Sequence, residues 1–157
     1  MDKRQPIGIE LVKRGIVTED DIEKALDYQK SHPSKKIGDI IDILGLCDSH
    51  RLIGAIGEIL DEKAIYLLDN DVRISPVDYI SLDLMKQNKA IPFEIATGKI
   101  KVCFADTSNK RSVDTIRLLL LNKGLVMEKY ITFESNIERI LDSLEGAASE
   151  NINTNAD

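Results

Sequence analysis

The first sixty residues carry the same pattern twice. Residues 7–26, IGIELVKRGIVTEDDIEKAL, return thirty positions later as IGDIIDILGLCDSHRLIGAI at residues 37–56. A repeat of this kind is one helical unit, and a single unit cannot bury its apolar face alone. The sequence therefore predicts two helical hairpins, built to one plan and packed against each other.

Each copy places its helix signals at the same positions. Gly15 suits the end of a short first helix because glycine tolerates a left-handed backbone, and Thr18 can cap the second helix. In the second copy Gly45 takes the place of Gly15, and Asp48 or Ser49 can act as the cap. Apolar residues at helical spacing follow each cap, so the pattern predicts a buried stripe on both second helices.

The second half of the chain has a different pattern. Two apolar runs, KAIPFEIA and KIKVCFAD, flank a turn at Thr97-Gly98 and predict a hairpin of strands. The predicted order around them is a helix near residues 80–88, a helix in RSVDTIRLLLLNKG, a strand in LVMEKYIT and a last helix in FESNIERILDSL. The predicted fold class is α+β, with an N-terminal helical-hairpin repeat followed by a small α/β subdomain whose sheet is mainly antiparallel.

The predicted division of the chain follows from these patterns. Residues 1–66 form the tandem helical-hairpin subdomain, residues 67–144 the α/β subdomain, and residues 145–157 a flexible tail. The tail has one bulky apolar residue, which is too little buried surface to offset the entropy of ordering.

Composition limits the classes of partner. The 157 residues are 43% hydrophobic, which suffices for a core, and carry a net charge of -6. No basic field is available for a nucleic acid polymer. No apolar run approaches the roughly 20 residues that span a bilayer, so we expect no direct membrane insertion. The expected location is the cytoplasm, with attachment to the inner membrane only through a partner.

The reactive side chains form no catalytic or metal-binding pattern. Cys47 and Cys103 lack the paired spacing of metal ligands, and His32 and His50 lie in polar turns without a second ligand or a nucleophile nearby. No glycine is followed by the Lys-Ser or Lys-Thr pair of a phosphate loop. Residues 106–108, Asp-Thr-Ser, sit between a strand and a helix, where we expect helix capping. We therefore predict no catalytic residues, no metal site and no enzymatic activity.

The doubled Ile-Gly pattern, the following glycines, the stripe ending in Gln29 and the stretch NKAIPFEIATGKIKVCFADTSN together resemble a family. They are similar to the N-terminal, MshEN-type domain of type II secretion and type IV pilus assembly ATPases, the GspE and PilB family, over about residues 6–144. The resemblance implies a noncatalytic regulatory and docking domain that binds an inner-membrane platform protein, with the assembly ATPase domain in cis or in trans. It also implies that the two tandem motifs can bind cyclic di-GMP; no other cofactor is expected.

The resemblance assigns the cyclic di-GMP site residue by residue. The assigned positions are Ile7, Gly8, Leu11, Val12, Gly15, Gln29, Lys36, Ile37, Gly38, Ile41 and Gly45. Pro6 and Lys36 stand where the family has arginine, and lysine lacks the planar face that stacks on guanine. Arg4 lies two residues upstream of Pro6 and could reach the ligand site in place of the missing arginine.

Two further positions depart from the family pattern. Asp42 replaces an apolar residue, and Ile59 replaces the second glutamine. A structural role explains the same positions, since the glycines can end helices or permit close packing and the aliphatic residues can form a core. A docking scaffold with an altered ligand site and a cyclic di-GMP sensor therefore both remain as hypotheses.

Overall fold

The chain folds into two units, Met1–Tyr66 and Leu67–Asp157. The computed structural model describes residues 5–155, with side chains described for residues 7–148. Helices occur in both units and a sheet is present, so the predicted α+β class is confirmed. No helix in the described part of the chain combines the length and the apolar character needed to cross a membrane.

Four helices make up most of the first unit. They are α1 (Gln5–Lys13), α2 (Glu19–Ser31), α3 (Ile37–Ile43) and α4 (Ser49–Leu60). The second helices of the two hairpins begin thirty residues apart, α2 at Glu19 and α4 at Ser49. Helix α3 packs on α1, α2 and α4, and α1 also packs on α4, so the two hairpins share one interface.

The turns within the two hairpins have the same backbone geometry. Gly15 and Gly45 have φ angles of +71° and +65°, the left-handed region that favours glycine. The amide after each glycine donates to the carbonyl four residues before that glycine, at 3.0 Å in the first copy and 3.2 Å in the second. This is the Schellman arrangement of a helix C-terminus, and its repetition follows directly from the repeated glycine.

The second helices begin with side-chain caps. The Asp21 amide donates to Thr18 Oγ1 at 3.1 Å, and the Thr18 amide donates to Asp21 Oδ2 at 3.0 Å, a reciprocal capping box. These hydrogen bonds with Thr18 lower the pKa of Asp21. In the second copy the Arg51 amide donates to Asp48 Oδ2 at 2.9 Å. The sequence signals for both helix starts are therefore confirmed.

Helix α4 ends in a tight return of the chain. Asp61 adopts a left-handed conformation with φ of +54°, and the Glu62 amide donates to the Gly57 carbonyl at 2.8 Å. A short strand, β1 (Lys63–Ala64), follows at once. The backbone beyond the helix thus comes back over Gly57.

The second unit combines helices with strands. Its elements are α5 (Leu82–Asn88), β2 (Ala90–Ala96), β3 (Lys99–Phe104), α6 (Lys110–Leu121), β4 (Val126–Ile131) and α7 (Glu134–Asn155). Two 3-10 turns, Asp69–Asp71 and Pro76–Asp78, precede α5.

The sheet is mixed, so the prediction of a mainly antiparallel sheet was wrong. Strands β2 and β3 form the expected antiparallel hairpin, with Ala90 opposite Phe104. Strands β3 and β4 run parallel, with Lys99 opposite Val126. The cause is α6, which carries the chain back to the end at which β3 began, so that β4 must repeat its direction.

The last helix extends well beyond the predicted end. A flexible tail was predicted from residue 145, but the backbone continues α7 as helix as far as Asn155. Once a helix is nucleated each added residue gains a hydrogen bond, and Ala147 and Ala148 are strong helix formers. Residues 156–157 of the predicted tail lie outside the described residues.

A buried polar network joins the start of the second unit to α7. Thr132 Oγ1 accepts from the Leu67 amide at 3.3 Å and from Asn136 Nδ2 at 2.9 Å. Arg139 donates to Asn136 Oδ1 at 3.1 Å and also to the Leu67 carbonyl. Since buried polar groups are costly when unsatisfied, this network fixes Leu67, the first residue of the second unit, in its place beside α7.

Candidate functional site

All eleven residues assigned to the ligand site lie in the first unit. They occupy α1, the end of α2, the start of α3 and the two glycine turns. Six are buried and belong to the helix packing: Gly8, Leu11, Gln29, Ile37, Gly38 and Ile41. Ile7 and Val12 are half-buried, and Gly15, Lys36 and Gly45 are exposed. Because α1 packs on α3, the two motifs lie beside each other within the unit.

The first glycine of each motif lies against the second helix of its own hairpin. A Cβ on Gly8 would lie 3.5 Å from Ile22 Cδ1, which is an ordinary contact. A Cβ on Gly38 would lie 2.7 Å from Ile56 Cδ1, so Ile56 would have to shift. Gly38 therefore has a packing role in this chain, whatever its role toward a ligand.

Gln29 has an internal hydrogen-bond partner. Its Nε2 donates to the Lys35 carbonyl at 2.8 Å, and its side chain is buried. This bond ties the end of α2 to the loop that leads into α3. The next residue of that loop, Lys36, is the exposed N-cap of α3 and makes no side-chain cap hydrogen bond.

The first motif is described only in part. The side chain of Pro6, which stands at the arginine position of that motif, lies outside the described side chains, and Arg4 lies outside the described residues. Lys36 is the cationic residue that the resemblance assigns to the site, and its side chain is exposed.

Carboxylates surround the turn of the second motif. Ser49 Oγ donates to Asp42 Oδ1 at 2.5 Å, which fixes a carboxylate at the position where the first copy has Val12. Burial raises the pKa of Cys47, and the charges of Asp21, Asp42 and Asp48 raise it further. The charge of Arg51 acts in the opposite direction, so three carboxylates face one cation at this turn, a balance that disfavours a phosphate ligand.

Neither cysteine has the properties of a nucleophile. Burial raises the pKa of Cys103 well above its usual range, with a smaller contribution from Asp71. Both thiols are therefore protonated at neutral pH, whereas the reactive form is the thiolate. Within the described residues, no group of three or more His, Cys, Asp or Glu side chains is arranged to hold a metal ion.

Two side-chain roles were missed at sequence level. Ser49 was a candidate cap for α4, but Asp48 is the cap and Ser49 binds Asp42 instead. Capping of α6 by residues 106–108 was also predicted, whereas Asn109 Oδ1 accepts from the Ser112 amide at 3.2 Å. Asp106 accepts hydrogen bonds from Ser108, a local turn that precedes the helix.

The family of the chain follows from a match to the MshEN domain model over residues 64–151, more than half of the chain. This chain belongs to the MshEN domain family. The resemblance is thereby confirmed, and the match supports an N-terminal domain of secretion and pilus assembly ATPases. The matched residues cover most of the second unit and leave the tandem motifs outside the match.

Solved structures share the fold of this MshEN domain. One is MshE solved with cyclic di-GMP (cdg), with a TM-score of 0.61 and 22% identity over 87% of this chain and 96% of that one. Another is the N-terminal domain of XpsE, with a TM-score of 0.56 and 21% identity over 90% of this chain and 96% of that one. No curated protein matches the chain. At these identities the similarity establishes the fold.

Proposed function

We propose that this MshEN domain is the noncatalytic regulatory and docking domain of a bacterial secretion or pilus assembly ATPase system. It binds an inner-membrane platform protein and couples that contact to an ATPase domain, in cis or in trans. The observation that carries the proposal is the match to the MshEN domain model, because it supports an N-terminal domain of such an ATPase. The domain works in the cytoplasm and reaches the inner membrane through its partner.

Exposed apolar residues of the first unit support a docking role. Ile9 on α1 is 52% exposed, and Ile43 at the end of α3 is 44% exposed. Neither side chain is needed to fill the core of the unit, so both are available as apolar anchors for a protein partner. The proposed contact with the platform protein therefore includes Ile9 and Ile43.

Charge introduced at these two positions tests the docking proposal. We expect the chain to bind the cytoplasmic part of its cognate platform protein saturably, and Ile9→Asp with Ile43→Asp to weaken binding about tenfold or more, since buried interface anchors carry most of the affinity. The measurement is biolayer interferometry or calorimetry with both purified proteins.

Leu60→Asp is the matched control for that experiment. Leu60 is 40% exposed in the same unit but lies at the end of α4, so we expect near wild-type affinity. Equal loss of binding in the double variant and in Leu60→Asp would show a general effect of added charge. Absence of binding to any cognate platform protein would contradict docking.

Cyclic di-GMP sensing is the second candidate function. The two motifs have matching turns, with left-handed Gly15 and Gly45, and MshE was solved with this ligand. In the sensor hypothesis Lys36 meets a phosphate and the backbone around Gly8 and Gly38 approaches the ligand. The carboxylate of Asp42 acts against binding at the second motif.

Calorimetric titration with cyclic di-GMP decides between a sensor and a docking domain alone. A sensor gives saturable heat at low micromolar ligand, and Lys36→Ala weakens the affinity about tenfold because a charge-assisted contact is lost. Asp42→Val restores the residue of the first copy and strengthens binding. Lys30→Ala, an exposed lysine on α2, removes the same charge elsewhere and leaves the affinity unchanged. A titration without heat, confirmed by a second binding method, rejects the sensor.

A further inference from the structure

Helix α6 exposes two leucines that the second unit does not use for folding. Leu118 is 60% exposed and Leu121 is 54% exposed, and they lie one turn apart on the same side of the helix. The opposite side carries the buried residues of α6, among them Ile116 and Leu120. The apolar content of α6 thus exceeds what its own core contact requires.

One cationic side chain lies on the same side of the helix as these leucines. Arg111 is exposed and lies seven residues before Leu118, which places both on one side of the helix two turns apart. We call Arg111, Leu118 and Leu121 the α6 face. Over its whole length α6 has three cationic side chains against the single carboxylate of Asp114, in a chain whose net charge is -6.

A groove of opposite charge lies between α5 and α7 in the same unit. It has a volume of about 240 Å³, and Ile137 and Leu141 of α7 form its apolar lining. Both residues are packed in the core, at 0% and 8% exposure, so the apolar lining is the floor of the groove. Glu138 and Asp142 of α7 also line it and are exposed. We call this site the α5/α7 groove.

The two lysines of the groove are already engaged. Lys86 forms an ion pair with Glu145, and Lys89 forms one with Glu134. Glu138 and Asp142 are left as two like charges four residues apart on one helix, an arrangement that destabilises a helix by itself. A cationic partner would relieve that repulsion.

We propose that the α6 face of one copy of this chain docks in the α5/α7 groove of a second copy. Leu118 then enters the apolar lining, and Arg111 meets the carboxylates of Glu138 and Asp142. A second copy is the occupant because the complementary surface, apolar and cationic, is present on the same unit of the same chain. Contact between two different surfaces is heterologous, so copies join head to tail unless two such contacts close a dimer.

A charge exchange between the two surfaces tests this contact on the full chain. We expect the weight-average mass in sedimentation equilibrium to rise with concentration above the 17.6 kDa of the monomer. Arg111→Glu and the double variant Glu138→Arg, Asp142→Arg each weaken association about tenfold or more, since like charges then face each other. An equimolar mixture of the two variant proteins regains association, because each supplies the surface that the other lacks.

Leucine variants separate the apolar part of the contact from its charge. Leu118→Ala weakens association, whereas Leu60→Ala, an exposed leucine of the first unit, leaves it unchanged. The proposal is overturned if the chain stays monomeric at millimolar concentration, if Arg111→Glu associates as the wild type does, or if the mixture fails to regain association. Binding of the platform protein is a separate measurement and does not depend on these outcomes.

Discussion

Replacing Gly57 with alanine destabilises the first unit by about 2 kcal/mol. A Cβ at this position would lie 2.7 Å from Ala64 Cβ and 2.8 Å from the Glu62 carbonyl oxygen, closer than real Cβ atoms approach. The Glu62 backbone cannot move away easily, because its amide donates to the Gly57 carbonyl at 2.8 Å. Overpacking costs about 1–3 kcal/mol, and the better helix propensity of alanine offsets up to about 1 kcal/mol of the upper value.

The glycine one turn earlier supplies the control. Gly54 lies on the same helix, is exposed, and has no atom within 4 Å of an added Cβ. We expect Gly54→Ala to stabilise the unit by about 0.5–1 kcal/mol through helix propensity alone. Urea unfolding followed by circular dichroism measures both variants. A shift of the same sign for Gly54→Ala and Gly57→Ala would contradict the contact between α4 and the returning chain.

Local signals in the sequence were enough to predict the first unit. Gly15, Thr18 and Gly45 act within a few residues of themselves, so the ends and starts of the helices follow from residue type alone. The thirty-residue repeat then implied that the hairpins pack together, since neither can bury its apolar stripe alone. These features need no knowledge of distant contacts.

Features that depend on distant contacts were missed. The direction of β4 is set by the path of α6 across the sheet. The residues of the strand itself do not indicate whether it runs parallel or antiparallel to its neighbour. The continuation of α7 to Asn155 depends on an already formed helix, which local composition does not reveal. The sheet was therefore predicted with the wrong strand direction, and the part of α7 beyond residue 144 was not predicted as helix.

The candidate site shows the same limit. The sequence identified Gln29 and Asp42 as notable positions, the first as a match and the second as a departure from the family pattern. Their partners, the Lys35 carbonyl and Ser49, become visible only when the loop and the second hairpin are folded. These contacts explain how the chain packs. The assignment of a cyclic di-GMP site stays a prediction that the titration tests.

Truncation of Phe104 should destabilise the second unit more than Gly57→Ala destabilises the first. Phe104 is fully buried at the end of β3, which lies between β2 and β4, with Ala90 and Ile131 as its neighbours in register. Its carbonyl accepts from the Thr132 amide at 3.1 Å, so the backbone is held and cannot collapse far into a cavity. Phe104→Ala is expected to cost about 3–5 kcal/mol, the range for removing a buried aromatic ring.

That loss is a large part of the total stability of a domain, which is about 5–15 kcal/mol. Thermal and urea unfolding of Phe104→Ala therefore give a much lower midpoint, or a second unit that is already unfolded at room temperature. Val77→Ala is the matched control: its side chain is 50% exposed in the same unit, so we expect a change within about 0.5 kcal/mol. A cost below about 1 kcal/mol for Phe104→Ala would mean that the sheet repacks around the missing ring, and that β3 is not the rigid centre of this unit.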